Sequence, residues 1–356
     1  MQFNVPFIPD QKYIRFLNDN AQALDSCHFS LYSDLMFDAR HKHNVIQTND
    51  LTAALAKLPK VKKYLLMNGR IQSPQKYFDE RHLHVTVRIL TRLLDAGVLD
   101  GIVFTDAQYL QALSTAGGET LSRLEAIPSI NCMLDSFDKI TAMMNFIGIT
   151  HFKAPETFIL DRSLNRKMDA LAEVTAKCRQ KFPGVKIELL ANEGCLFQCP
   201  FKPAHDCHIS LSNMGMSFDT FRFNHDLGCI RYLQDYPNQI LKSPFIRPED
   251  VAAYEQYADI VKVCGRDLGS SFLLKTVAAY LQGAFSGNLL ELLDALNWMS
   301  DKAVIANPEL PHDFQKQLSS CSKDCDSCHY CEDTLELCAE EKPLTIPDLP
   351  IACNAM

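Results

Sequence analysis

Val185-Lys-Ile-Glu-Leu-Leu-Ala191 is a short apolar run that stops abruptly at Asn192-Glu193-Gly194-Cys195. A run of this length, opened by one glycine and closed by another, reads as a buried strand with polar and thiol side chains at its carboxyl end. Working outward, comparable runs recur at residues 29–32, 64–67, 101–104, 128–132, 150–154, 208–210 and 259–264. Longer amphipathic stretches separate several of them. Residues 81–97 carry Leu83, Val87, Leu90, Leu93 and Leu94 on one face, and 135–148 and 164–182 behave similarly. Alternation of strand and helix predicts a mostly parallel sheet with helices outside. Eight candidate strands between Phe29 and Gly265 suit an α/β fold, an eight-stranded β/α (TIM-like) barrel. A doubly wound open sheet is the alternative, but no Gly-rich phosphate loop supports it. The expected organisation is a barrel over 1–267, C-terminal helices at 269–282 and 288–299 within 268–306, and a Cys-rich metal-binding segment over 307–356.

The chain has 356 residues, 35 Lys+Arg against 43 Asp+Glu, and a formal net charge of -8. This balance argues against a broad phosphate-binding surface. The apolar runs fall short of the roughly 20 residues of a bilayer span, and no apolar signal core follows Met1. The expectation is a soluble, cytoplasmic protein with no membrane span. Fourteen cysteines are the informative count. Without a signal peptide a disulfide framework is a poor reading, and clustered thiols in a reducing compartment more often hold metal. Cys27, Cys132, Cys178, Cys264 and Cys353 are scattered and read as small buried apolar side chains.

Polar residues follow the candidate strands at Ser33/Asp34, Asn68/Arg70, Thr105/Asp106, Asn131, Lys153/Glu156, Asn192/Glu193/Cys195 and Arg266. In a barrel such positions converge on one mouth. Taken singly each is as well explained as a loop or helix-cap residue, Asp106 and Asp135 especially. Cys195 and Cys199 stand three residues apart, with Cys207 and Cys229 beyond, and Gly194 and Pro200 let the chain turn between them. Thiolates are soft donors suited to iron–sulfur clusters or zinc, and His205 and His208 widen the menu toward zinc. Near the C-terminus Cys321, Cys325, Cys328 and Cys331 crowd one segment, the last three each two residues apart. That compact spacing suits a ferredoxin-like cluster better than two separated zinc pairs, and a redox-exchanging thiol tail is the competing reading. Glu156 is a candidate acid/base beside Lys153, and Arg266 a candidate grip for an anionic ligand. Both compete with solvent-facing roles. No nucleophile elbow and no His-Glu-x-x-His zinc helix occurs.

The strand into Glu193-Gly-Cys195, the stretch Ile240-Leu-Lys-Ser-Pro-Phe-Ile-Arg-Pro-Glu-Asp250 and Val261-Lys-Val-Cys-Gly-Arg266 resemble the collagenase-like peptidase family of unassigned catalytic type, peptidase U32. Lys153-Ala-Pro-Glu156 resembles that family's strand-end glutamate. The resemblance spans roughly 29–283. It implies a barrel holding a four-cysteine [4Fe–4S] cluster, with Cys195, Cys199 and Cys229 matching its first three ligands and Glu156 and Arg266 matching strand-end residues. Members similar to this chain serve oxygen-independent hydroxylation of ubiquinone precursors, or of RNA bases with prephenate as oxygen donor. The family often has a further cysteine where this chain reads Lys242-Ser-Pro-Phe245, so Cys207, Cys264 or a tail cysteine is left as fourth ligand. The tail motif implies a second cluster or zinc.

Three functions follow as expectations. The first is an iron–sulfur hydroxylase acting on a small molecule or RNA base, fed by an electron-donor or partner protein. The second is a zinc peptidase or hydrolase. The third is a non-catalytic iron–sulfur scaffold for a partner enzyme.

Overall fold

The structure, a computed structural model, describes residues 1–31, 38–40, 46–216 and 220–347. Among these, eight parallel strands form one sheet: β1 Gln2–Pro6, β2 Leu24–Phe29, β3 Lys62–Met67, β4 Gly101–Phe104, β5 Glu125–Pro128, β6 Thr157–Ile159, β7 Lys186–Leu190 and β8 Ile260–Lys262. Their order, β5-β4-β3-β2-β1-β8-β7-β6, bends the sheet nearly closed. The seam between β5 and β6 is held by one bridge. The Lys153 N–H donates to the Leu124 carbonyl at 2.9 Å, and the Lys153 carbonyl accepts from the Ala126 N–H at 3.0 Å. This is the expected TIM-like barrel.

Helices α1 Gln11–Asp19, α2 Thr48–Leu55, α3 Glu80–Asp95, α4 Ala107–Gly117, α5 Phe137–Ile147 and α6 Met168–Lys181 cover its outside. They bury Leu17, Leu55, Leu90, Leu110, Ile140 and Leu171 against the outward faces of the strands in one continuous core. Strands buried on both faces read as unbroken apolar runs, which is why β4 is legible from sequence. The inner face is divided. Tyr64, Leu66, Val103, Ile127, Ile159 and Leu190 form an apolar wall along β3 to β7. Asn4, Ser26, His28, Glu188 and Lys262 form a buried polar wall along β1, β2, β7 and β8.

Between β7 and β8 the chain inserts α7 Lys202–Asn213, α8 Thr220–Asp226, α9 Cys229–Asp235 and α10 Gln239–Lys242. The strand expected at 208–210 is part of α7. The count of eight is restored by β1, which sequence reading missed. After β8, α11 Gly269–Gln282 forms as expected, but the helix expected over 288–299 is two single 3-10 turns, Leu289–Glu291 and Asn297–Met299. Beyond them lie α12 Phe314–Ser320 and α13 Tyr330–Cys338. These segments share a second core with the β7–β8 insertion, built from Leu196, Leu233, Ile240, Phe245, Phe314 and Leu335. No helix among the described residues is long and apolar enough to cross a membrane.

Candidate functional site

The carboxyl ends of the strands open onto a small polar mouth of about 50 Å³, whose lining includes His28, Arg40, Glu193, Lys202, Lys262 and Arg266. Glycine geometry sets two of its residues. Gly194, at φ +79, turns the chain between Glu193 and Cys195. Gly265, at φ +117, lies so close to Phe272 that an added Cβ would sit 2.1 Å from the ring, and this tight turn delivers Arg266.

Charge at the mouth is paired and buried. Arg162 Nε lies 2.8 Å from Glu193, and Lys202 is 3.8 Å from the same carboxylate and 2.7 Å from Asp206. Burial pushes the Glu193 carboxyl up, but the charges of Arg162, Lys202 and Arg40 outweigh it and hold it below the usual range. Arg266 pairs with Asp38, itself a partner of Ser30. Arg40 pairs with Asp294, which keeps its guanidinium strongly protonated. Asp294 comes from the C-terminal extension, and its backbone N–H donates to the Asn192 carbonyl at 2.8 Å. Asn192 in turn binds the Cys264 N–H, the Cys264 carbonyl and the Leu292 carbonyl, tying the extension to both strand ends. On the polar wall Lys262 Nζ meets Glu188 at 3.2 Å, Asn4 Nδ2 donates to Glu188 at 2.9 Å, and Asn4 Oδ1 faces His28 Nδ1 at 2.8 Å.

Of the predicted mouth residues, Asn68, Asn131, Glu193 and Arg266 line this cavity, joined by Cys264, which the sequence read as a buried apolar thiol. Ser33 and Asp34 lie outside the described residues. Asp106 caps α4 by accepting from the Tyr109 N–H at 3.0 Å, whereas α5 is capped by Ser136 and not by Asp135. Glu156 belongs elsewhere. It precedes β6 instead of following a strand, so it sits at the opposite, N-terminal rim, half-exposed between Lys153 at 2.5 Å and Lys62 at 2.7 Å. Glu156 and Arg266 therefore do not share a mouth. Sequence reading missed Asn4, His28, Arg40, Arg162, Lys202, Glu188 and Asp294. For Asn4 the signal was the alternation Gln2-Phe-Asn-Val; for Asp294 no local signal exists.

The thiols fall into two groups. Cys195 lies within the electrostatic reach of Cys199, and Cys199 within that of Cys229. Burial pushes Cys195 and Cys199 up and Cys229 up to about 11. Cys207 is half-buried on α7 beside Asp206. Ser243 Oγ donates to the Cys195 carbonyl at 2.7 Å, so the stretch 242–245 adjoins the first of these thiols. In the tail Cys321, Cys325, Cys328 and Cys331 line one cavity of about 620 Å³ together with Phe197 and Lys242. Burial pushes Cys331 up to about 11, and the other three tail thiols act in the same direction. Phe197, from the loop between Cys195 and Cys199, joins the two regions. Among the described residues no three Cys, His, Asp or Glu side chains converge in ligand geometry.

No protein-family model matches the chain. An uncharacterized protease of Methanocaldococcus jannaschii is 30% identical over 250 residues, spanning 70% of this chain and 68% of that protein. Among solved structures, the U32 peptidase Mk0906 matches at a TM-score of 0.46 with 16% identity, over 74% of this chain and 92% of that one. The carboxyl transferase domain of Rhizobium etli pyruvate carboxylase matches at 0.38 with 10% identity, over 80% of this chain and 44% of that one. The chain belongs to the peptidase U32 family.

Proposed function

We propose that this chain is an iron–sulfur protein that hydroxylates a small molecule or an RNA base without oxygen, at the C-terminal mouth of its barrel. One juxtaposition supports the reading: the loop after β7 places Glu193 in a charged mouth and the half-buried Cys195 two residues on, with Cys199 and Cys229 in succession behind it. The donor chemistry fits. These thiols are held protonated by burial, and a soft cationic centre would draw their protons off as it binds. Cys195, Cys199 and Cys229 would hold the cluster, Cys207 or Cys264 completing it, and Cys321, Cys325, Cys328 and Cys331 would hold a second one. When bound, such a cluster exchanges single electrons; the hydroxyl oxygen would come from water, and the two electrons leaving the substrate C–H bond would pass out through the cluster. The chain's own residues would do the rest. Arg266 and Arg40 would orient an anionic group, while Lys202 and Arg162 keep Glu193 ionised at the edge of the site. A redox partner protein that accepts those electrons would dock at the tail.

Anaerobic purification with iron and sulfide quantification tests this. The expected result is iron with acid-labile sulfide, with the mid-chain share lost in Cys195→Ser and the tail share lost in Cys328→Ser. Folded protein free of both iron and sulfide would end the reading. The relative described as a protease favours a second reading, a zinc hydrolase using His205 with the cysteines; burial, aided by Lys202, lowers His205 to about 4, keeping it neutral and able to ligate. Stoichiometric zinc without sulfide would select it.

A further inference from the structure

The polar wall of the barrel holds a buried imidazole that the reading above does not use. His28 is 1% exposed, yet it lines the mouth cavity. Its Nδ1 is committed to Asn4, and its Nε2 has no partner among the described residues. The partners fix which nitrogen carries the proton. The Glu188 carboxylate, bound by Lys262 on its other oxygen, can only accept, so Asn4 must turn its amide N–H toward it. That leaves the Asn4 amide oxygen facing His28, which must therefore donate from Nδ1. Nε2 then keeps a bare lone pair, on a ring that lines the mouth.

We propose that His28 is the proton acceptor of this mouth, held in the Nδ1–H tautomer by Asn4 and Glu188, and that it serves an anionic substrate bearing an O–H or N–H beside its negative group. The step is a proton transfer. Nε2 takes the hydrogen, the bonding pair stays on the substrate's oxygen or nitrogen, and the imidazolium returns the proton later in the cycle. The cavity surface presents Arg40, Lys202, Lys262 and Arg266 with the one carboxylate of Glu193, while the carboxylates that pair those cations, Asp294, Asp206, Glu188 and Asp38, approach from outside the lining, so a group entering the cavity meets the cations first. The groups around the ring are Asn4 on β1, Tyr64 opposite it on β3, Glu188 on β7, Lys262 on β8 and Arg266 just beyond. Burial, then Lys262 and Arg266, hold the imidazole neutral, well below its usual range. An anion beside those cations offsets them and raises the ring's proton affinity only when substrate is present. The small cavity admits one functional group at a time, so the rest of the substrate stays outside it.

The inference rests on the mouth being the working end, but its test is independent of iron. Selective 15N-histidine labelling of the full chain, with His28→Gln to assign the resonance, reads the tautomer directly. At neutral pH the proton should sit on Nδ1 alone; a proton on Nε2, or on both nitrogens, overturns the assignment. Lactate, a small probe carrying both a carboxylate and a hydroxyl, should shift the Nε2 resonance saturably and several-fold more than propane-1,2-diol at equal concentration. Equal responses, or none, overturn the anionic substrate class. Asn4→Leu should mix the two tautomers while the chain stays folded. A pure Nδ1–H ring in that variant overturns the role of Asn4, and if the variant does not fold, the native-chain readings decide.

Discussion

The two ends of the barrel carry similar numbers of charges and use them differently. At the N-terminal rim beside the β5–β6 seam Lys62, Lys153 and Glu156 are between a third and a half exposed, around the buried carboxylate of Glu125. At the C-terminal mouth Arg162, Lys202, Glu193, Arg266 and Asp38 are all about nine-tenths buried. Exposed pairs cost little to make and are worth little, whereas buried pairs are expensive to desolvate and very costly to break. A chain that keeps several buried pairs around a cavity, where apolar packing would serve stability as well, is keeping them for what the cavity does. The rim, by contrast, needs only to keep the β5–β6 seam shut.

Breaking a mouth pair should give the largest effect. Arg162→Met leaves Glu193 with Lys202, 3.8 Å away, and the field of Arg40, and should lower unfolding free energy by about 3–5 kcal/mol, read by urea denaturation. A loss under about 1 kcal/mol would mean that the mouth is as well solvated as the rim, and the contrast would collapse.

Protonation sharpens the same contrast. His28 is held neutral in the folded chain, while an unfolded histidine titrates near 6.5. Between those values the unfolded state binds the extra proton, so stability is full above about pH 6.5 and falls as pH drops below it. The slope from this one group approaches about 1.4 kcal/mol per pH unit. Denaturation at pH 7.0, 6.0 and 5.5 should show this slope in the native chain and a shallower one in His28→Gln.

The same division explains what could be read from sequence. β4 and the helices α3 and α11 were legible because their buried faces are apolar, and β7 because Ile187, Leu189 and Leu190 outweigh the inward Glu188. β1 and β2 were not, or were displaced, because Asn4, Ser26 and His28 point into the polar wall and break the apolar run that marks a strand. The cysteine groups were visible as spacing, but their neighbours Arg162 and Asp294 arrive from distant segments that only the fold brings together. Glu156 shows how small an error matters. The apolar run at 150–154 contains only the seam bridge, and the true strand begins at Thr157, so a slip of a few residues moved this side chain from one end of the barrel to the other.

The rim should give the smallest effect, and its pH dependence should differ from that of the mouth. Hydrogen bonds from Lys153, then Lys62, lower the Glu156 carboxyl to about 2. The unfolded carboxyl, near 4.3, binds its proton first as pH falls. The contribution of Glu156 is therefore present above that value and lost between it and about 2, a window well below that of His28. Because the side chain is half-exposed, screening reduces the pair to about 0–1 kcal/mol, less at high salt. Glu156→Gln should accordingly leave the unfolding midpoint nearly unchanged at pH 7 and leave the metal content and the His28 tautomer as in the native chain. A loss comparable to that of Arg162→Met would show that the seam, and not the mouth, carries the costly electrostatics of this fold.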